Sequence, residues 1–179
     1  MADSGQLQQI ARRIAADISH DHPDGVVVIG VLKDSVVFLA DVLRHVTVPV
    51  DLDFVAVAPY DSSAGRTHLV KDLDRPIEGR DVVLVAGLVD TGLSLDYVRR
   101  HLVGFEPRTL RICALADKAS RRIVPLAIHY LGLEVGDRHL VGYGLDHRER
   151  HRNVCELWSA DPSTVHEPDT GAFRQLDPR

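Results

Sequence analysis

Apolar residues recur at Leu7, Ile10, Ala11, Ile14 and Ile18, the spacing of one helical face, with Ser4 ahead of them as an N-cap. This predicts an amphipathic helix over residues 5–20. The turn-rich "HDHPDG" ends it, and the unbroken apolar run "VVVIGV" (26–31) predicts a buried strand. Val36, Leu39, Ala40 and Leu43 return to helical spacing before "TVPVDLDFVAVA", a second strand, so the chain begins as βαβ. The segment 59–68, "PYDSSAGRTH", is small, polar and without apolar period, which predicts an exposed mobile loop of the kind that serves as a lid. "HLVKDLDRPIEGRD" reads as a short strand and turn, and "VVLVAG" as a third buried strand. Leu95, Val98 and Leu102 place a helix directly after "DTGLS". "TLRICALA" (109–116) and "IHYLGLEV" (128–135) add two more strands. Strands alternating with helices predict an α/β fold with a mainly parallel, twisted sheet flanked by helices. One domain over 1–159 is expected, followed by a polar, proline-bearing tail over 160–179.

Composition narrows the function classes. With 179 residues, 45% of them hydrophobic, the chain can bury one sizeable core. Its formal net charge of −5 supplies no basic face for a nucleic-acid backbone, so no nucleic-acid partner is expected. The two cysteines, Cys113 and Cys155, lack metal-type spacing and do not make a disulfide framework, which favours a reducing, cytoplasmic setting. "MADSGQLQQIARRIAADI" lacks the basic flank and apolar core of a secretory leader. No apolar run reaches the roughly 20 residues of a membrane span.

The candidate chemistry centres on "VVLVAGLVDTGLSL", residues 82–95. In an open α/β sheet, ligands sit beyond the carboxyl ends of the strands, and Asp90 to Ser94 occupies such a place. Backbone N–H groups of Thr91, Gly92, Leu93 and Ser94, two hydroxyls and a helix dipole would bind a phosphate dianion. The same residues also describe an ordinary helix cap. The glycine spacing matches neither a Walker A loop nor a dinucleotide fingerprint. His147 and His151 stand at i and i+4, as metal ligands on a helix can, but no third ligand is evident and arginines surround them. A solvated polar helix end is the plainer reading.

Five runs in order, "IGVLKDSVVFLADVLR", "VKDLDRPIEGRDVVLV", "VDTGLSL", "LADKASRR" and "LVGYGLDHRERHRNV", resemble the type I phosphoribosyltransferases, and among them the hypoxanthine/guanine branch. The resemblance covers about residues 5 to 158. It implies that family's fold, with a small C-terminal hood subdomain and a flexible lid. It implies transfer of a sugar 5-phosphate from its 1-diphosphate to a purine nitrogen, with Mg²⁺. Carried onto this chain, Thr91, Gly92, Leu93 and Ser94 would hold the 5-phosphate, and Asp90 would act as proton acceptor or hydrogen-bond partner of the base. Lys118 would donate to a 6-oxo group, His139 would stack on the ring, the backbone at Leu140 would read the base edge, and Asp146 would help hold both the metal and the exocyclic edge. Lys33, Asp34 and Arg152 would lie at the diphosphate, and Pro59 and Tyr60 on the lid. Family members commonly form homodimers or homotetramers, so assembly is expected by resemblance. Lys118 and Arg152 also fit ordinary surface cations, and Asp146 a turn residue.

The chain departs from the family pattern in several places. An acidic pair that in the family grips the ribose hydroxyls and supports the metal is replaced by Ala86 and Gly87. At roughly 1.5 to 3 kcal/mol for each charged hydrogen bond, its loss would cost about 3 to 6 kcal/mol. Asp34 stands where the family generally has glycine, His139 where it has a stacking aromatic, and Pro59 where it has serine. Groups expected to face the acceptor survive, whereas those facing the donor change, and small residues at 86 and 87 open space beneath the sugar. This predicts a glycosyltransferase that joins a purine-like heterocycle to a non-standard or larger sugar diphosphate in a specialised pathway. One alternative is a hypoxanthine/guanine phosphoribosyltransferase of purine salvage whose ribose grip comes from elsewhere, for example from Asp72 or Asp74. Another is a non-catalytic nucleotide-binding regulator.

Overall fold

The computed structural model of the protein describes residues 2–58 and 68–160. The first helix, α1 (Ser4–Asp21), buries Leu7, Ala11, Ile14, Ala15 and Ile18. Its cap is Asp3, not Ser4: the Asp3 carboxylate accepts from the Gln6 amide, while the Gln6 side chain accepts from the Asp3 amide. Both residues are good caps, but only Asp3 has the amide side chain three positions on that closes a capping box.

Strand β1 (Val26–Leu32) leads to α2 (Val36–Leu43), β2 (Val50–Val57) and the short β3 (Leu69–Lys71). Then come β4 (Asp81–Val89), α3 (Leu93–Val103), β5 (Thr109–Asp117) and β6 (Tyr130–Glu134). These six strands form one sheet in the order β3-β2-β1-β4-β5-β6, parallel throughout except for β3, which runs antiparallel on β2 at the edge. The last elements, β7 (His139–Val141) and β8 (Trp158–Ala160), pair antiparallel as a separate small sheet, the predicted hood. Leu157, just before β8, bridges back to Ala2. Of the lid expected over 59–68, all but His68, including Pro59 and Tyr60, lies outside the described residues, as does most of the expected tail.

Period-two alternation gives each face of the sheet its own core. Val26 and Val28 of β1, Val83 and Val85 of β4, and Cys113 and Leu115 of β5 pack with the apolar stripes of α1 and α2. Val27, Ile29, Val82, Leu84, Ile112 and Ala114 point the other way, against Leu95, Val98 and Leu102 of α3. Because both faces are covered, the central strands read as unbroken apolar runs in sequence. Burial pushes the Cys113 thiol up, as suits an inert core residue. No helix among the described residues is long and apolar enough to cross a membrane.

Candidate active site

Strands β1 and β4 lie side by side, and from this pair the chain builds outward in both directions. Such a reversal leaves a crevice beyond the carboxyl ends of the two strands. The crevice has a volume of about 290 Å³ and is lined by Leu32, Asp34, Ala86, Asp90, Thr91 and Ser94, among others. On its β4 side, Gly92 is the N-cap of α3, with a left-handed φ of 83°, and makes no side-chain cap hydrogen bond. The first N–H groups of α3 have no intrahelical acceptor, and Thr91 and Ser94 line the crevice beside them. Thr91 Oγ1 accepts a long 3.4 Å bond from the Leu93 amide.

Asp90, the last residue before this turn, meets two cations. Arg121 donates from Nε to Oδ1 at 2.6 Å, and the Lys118 ammonium lies 3.7 Å from Oδ2. Lys118 is only 6% exposed, and its amide bonds to the Val89 carbonyl, which ties the end of β5 to the end of β4. It is thus no ordinary surface cation. Arg121 also donates to both oxygens of Asp137. His139 lies near this group, with electrostatic contacts to Lys118 and Asp146. Burial, then the neighbouring His147 and Lys118, pull its imidazole below the ordinary histidine range. Its Nε2 is buried with no hydrogen-bond partner among the described residues, and its ring meets that of His147 edge-on at 5.2 Å. Leu140 is buried in β7, paired with Ser159.

On the β1 side, the peptide between Leu32 and Lys33 is cis. Arg152 reaches this loop from the hood and gathers carboxylates: Nη1 donates to Asp34 Oδ1 at 2.5 Å, and Nη2 stands 2.9 Å from Asp146 and 3.5 Å from Glu149. Lys33 pairs with Glu149 at 2.8 Å, which holds that carboxyl below its usual range. The sequence grouped Lys33, Asp34 and Arg152 at the diphosphate, set Asp146 at the metal and the base edge, and gave no sign of Glu149, Arg121 and Asp137. All three are drawn in by ion pairs between separate loops, which leave no periodic signal.

Asp146, the carboxylate expected to help hold magnesium, is engaged within the protein. It spends Oδ1 on Arg152 and Oδ2 on the Glu149 amide at 2.7 Å, and no cluster of three or more metal-binding side chains occurs among the described residues. The His147/His151 pair offers none either, because residues 147–150 close a tight bridged turn, not a helix.

Gly87 does not open the space expected of it, although Ala86 does line the crevice. Ala86 is buried in the α3-side core, and a Cβ on Gly87 would stand 2.6 Å from the Asp34 carbonyl oxygen and 2.8 Å from Asp34 Cβ. The volume a side chain at 87 would take is filled by Asp34. Asp72 and Asp74 do not supply a ribose grip: Asp72 is bonded by His101 on α3, Asp74 by Lys71, and neither lines the crevice.

The phosphoribosyl transferase domain family model matches residues 2–148. A hypoxanthine phosphoribosyltransferase of Haemophilus influenzae is 36% identical over 83% of this chain and 85% of its own length. A hypoxanthine-guanine phosphoribosyltransferase of Mycobacterium avium is 39% identical over 84% of this chain and 74% of its own. Among solved structures, a hypoxanthine-guanine phosphoribosyltransferase of Bacillus anthracis superposes with a TM-score of 0.86 at 36% identity, covering 89% of this chain and 96% of that one. The hypoxanthine phosphoribosyltransferase of Trypanosoma cruzi in complex with its product IMP gives 0.85 at 28% identity, covering 91% and 94%. These relatives overturn the expectation of a non-standard donor in a specialised pathway, and the filled volume at Gly87 removes its physical ground. They are also named as enzymes, which weighs against a non-catalytic regulator. Sheet order, the turn into α3 at Gly92 and these matches agree: the chain belongs to the phosphoribosyl transferase family.

Proposed function

We propose that the protein is a hypoxanthine-guanine phosphoribosyltransferase, which joins a 6-oxopurine nitrogen to C1 of 5-phosphoribosyl 1-diphosphate and releases diphosphate. The observation that carries this reading is the placing of Lys118 beside Asp90 at the mouth of the α3 anion site. One ammonium and one carboxylate, 3.7 Å apart, match a ring that presents a carbonyl oxygen and an N–H along one edge. The 5-phosphate would sit on Thr91 to Ser94, where N–H groups and hydroxyls converge. Positive charge develops on the sugar as the C1–O bond breaks, and negative charge on the leaving diphosphate. Lys33 and Arg152 are placed to meet the latter, exchanging Glu149 and Asp146 for phosphate oxygens. Any magnesium carried in on the diphosphate belongs to the substrate.

The choice of base tests the reading. Lysine only donates, so a 6-amino group in place of the 6-oxo group leaves the ammonium unpaired. A site built around such a bond rejects analogues lacking it by about 10⁴-fold or more in kcat/KM. With hypoxanthine, guanine and adenine offered in turn, nucleotide formation from the first two and almost none from adenine is expected. Equal use of adenine would overturn the assignment.

A further inference from the structure

Two carboxylates line the crevice, Asp34 and Asp90. Asp90 is engaged on the acceptor side by Arg121 and Lys118. The other crevice-lining positions of β4, namely Ala86, Leu88 and Val89, have no polar side-chain atoms, and the hydroxyls of Thr91 and Ser94 lie at the phosphate end. Asp34 is therefore the one remaining anionic acceptor on the described crevice wall. Its position is tightly determined. Gly87 lies on one side of it and Gly144 on another, and a Cβ on either would come within 2.6 Å of the Asp34 carbonyl oxygen. Arg152 aims the carboxylate through Oδ1, yet the side chain keeps 48% of its exposure, so a ligand can reach it.

A ribosyl donor presents two vicinal hydroxyls that must find acceptors once its charged ends are fixed, and an ionised carboxylate takes both without donating. We propose that Asp34 accepts the hydrogen bonds of the donor's ribose hydroxyls, with Arg152 as its positioning residue. Asp34 is then the sugar-specificity residue of the site, carried on the loop after β1 and admitted there by the missing side chain at Gly87. The inference rests on the phosphoribosyl reading above.

The test compares ribose 5-phosphate with 2,3-dideoxyribose 5-phosphate as competitive inhibitors against phosphoribosyl diphosphate, in the unsubstituted protein, Asp34→Ala and the isosteric Asp34→Asn. The unsubstituted protein should favour the hydroxylated sugar by about tenfold or more, as for hydrogen bonds to a charged group. In Asp34→Ala that ratio should fall below about twofold, with binding of the dideoxy sugar little changed. Loss of the Arg152 pair alone would weaken both sugars together and leave the ratio intact. An unmoved ratio in both variants of a protein that turns over phosphoribosyl diphosphate and hypoxanthine would overturn the inference. Absence of turnover in the unsubstituted protein would instead remove the functional reading beneath it.

Discussion

Gly87 on β4 and Asp34 on the loop after β1 divide one small volume between them, with the absent Cβ of the first only 2.8 Å from the Cβ of the second. Backbone, not a flexible side-chain tip, is what a new atom would meet. Gly87→Ala should therefore destabilise the fold by about 1–3 kcal/mol, the usual range for overpacking, and raise the KM for the donor while sparing that for the base. Urea unfolding and initial rates check the two halves of this prediction. A variant as stable and as active as the parent would show that the loop yields easily.

Asp90 lies between Lys118 and Arg121, and in the proposed reaction its carboxylate takes the proton of the acceptor nitrogen. Replacing it by alanine should lower kcat by about 10²–10⁴-fold, the range for a positioned acid–base group, without weakening the donor. Steady-state kinetics with both substrates varied will separate these effects. A change confined to KM for the base would reduce Asp90 to a binding contact.

Burial pulls the His139 imidazole below the ordinary histidine range, and its Nε2 has no hydrogen-bond partner among the described residues. Stacking of a base on an aromatic side chain contributes roughly 1–3 kcal/mol, so His139→Ala should raise the KM for hypoxanthine about five- to hundredfold. His139→Phe should recover most of that loss. If phenylalanine does no better than alanine, the orphaned nitrogen and not the ring face makes the contact.

The parts of this molecule legible in its sequence were those written in local periodicity. Unbroken apolar runs and helical spacing located the helices and the sheet strands to within about three residues, and the strand-to-helix step at Asp90–Ser94 stood out in the same pattern, whereas the short β7 and β8 left no such signal. What was not legible depends on contacts between distant segments. That Gly87 is filled by Asp34, and not left open, follows only once β1 and β4 are paired. The absent side chain looked like room for a larger sugar, because sequence records atoms lost at one position and not those that take their place. Arg121, Asp137 and Glu149 were missed for the same reason: their charges acquire meaning from loops that fold back over the crevice.

At the other end of β4, far from the crevice, the Asp81 carboxylate accepts from Arg108 and from the Thr109 hydroxyl and is only 10% exposed. The Arg108 bond leads the groups that hold it well below the usual carboxylate range. A depressed folded-state value means that its stabilisation is complete above the ordinary aspartate value of about 3.9 and is lost as pH falls through and below it. Unfolding free energy should therefore drop on acidification below about pH 4, and Asp81→Asn should make that drop shallower. The same variant should keep its activity at neutral pH. An acid limb of the same slope in the variant would place the sensitivity in other carboxylates.

The most direct measurement of the central claim is a product analysis. Pure protein is incubated with 5-phosphoribosyl 1-diphosphate and hypoxanthine, and inosine monophosphate and diphosphate are quantified together. The account predicts both products in a 1:1 ratio, formed catalytically over many turnovers. Neither product appearing, under conditions in which the donor demonstrably binds, would contradict it.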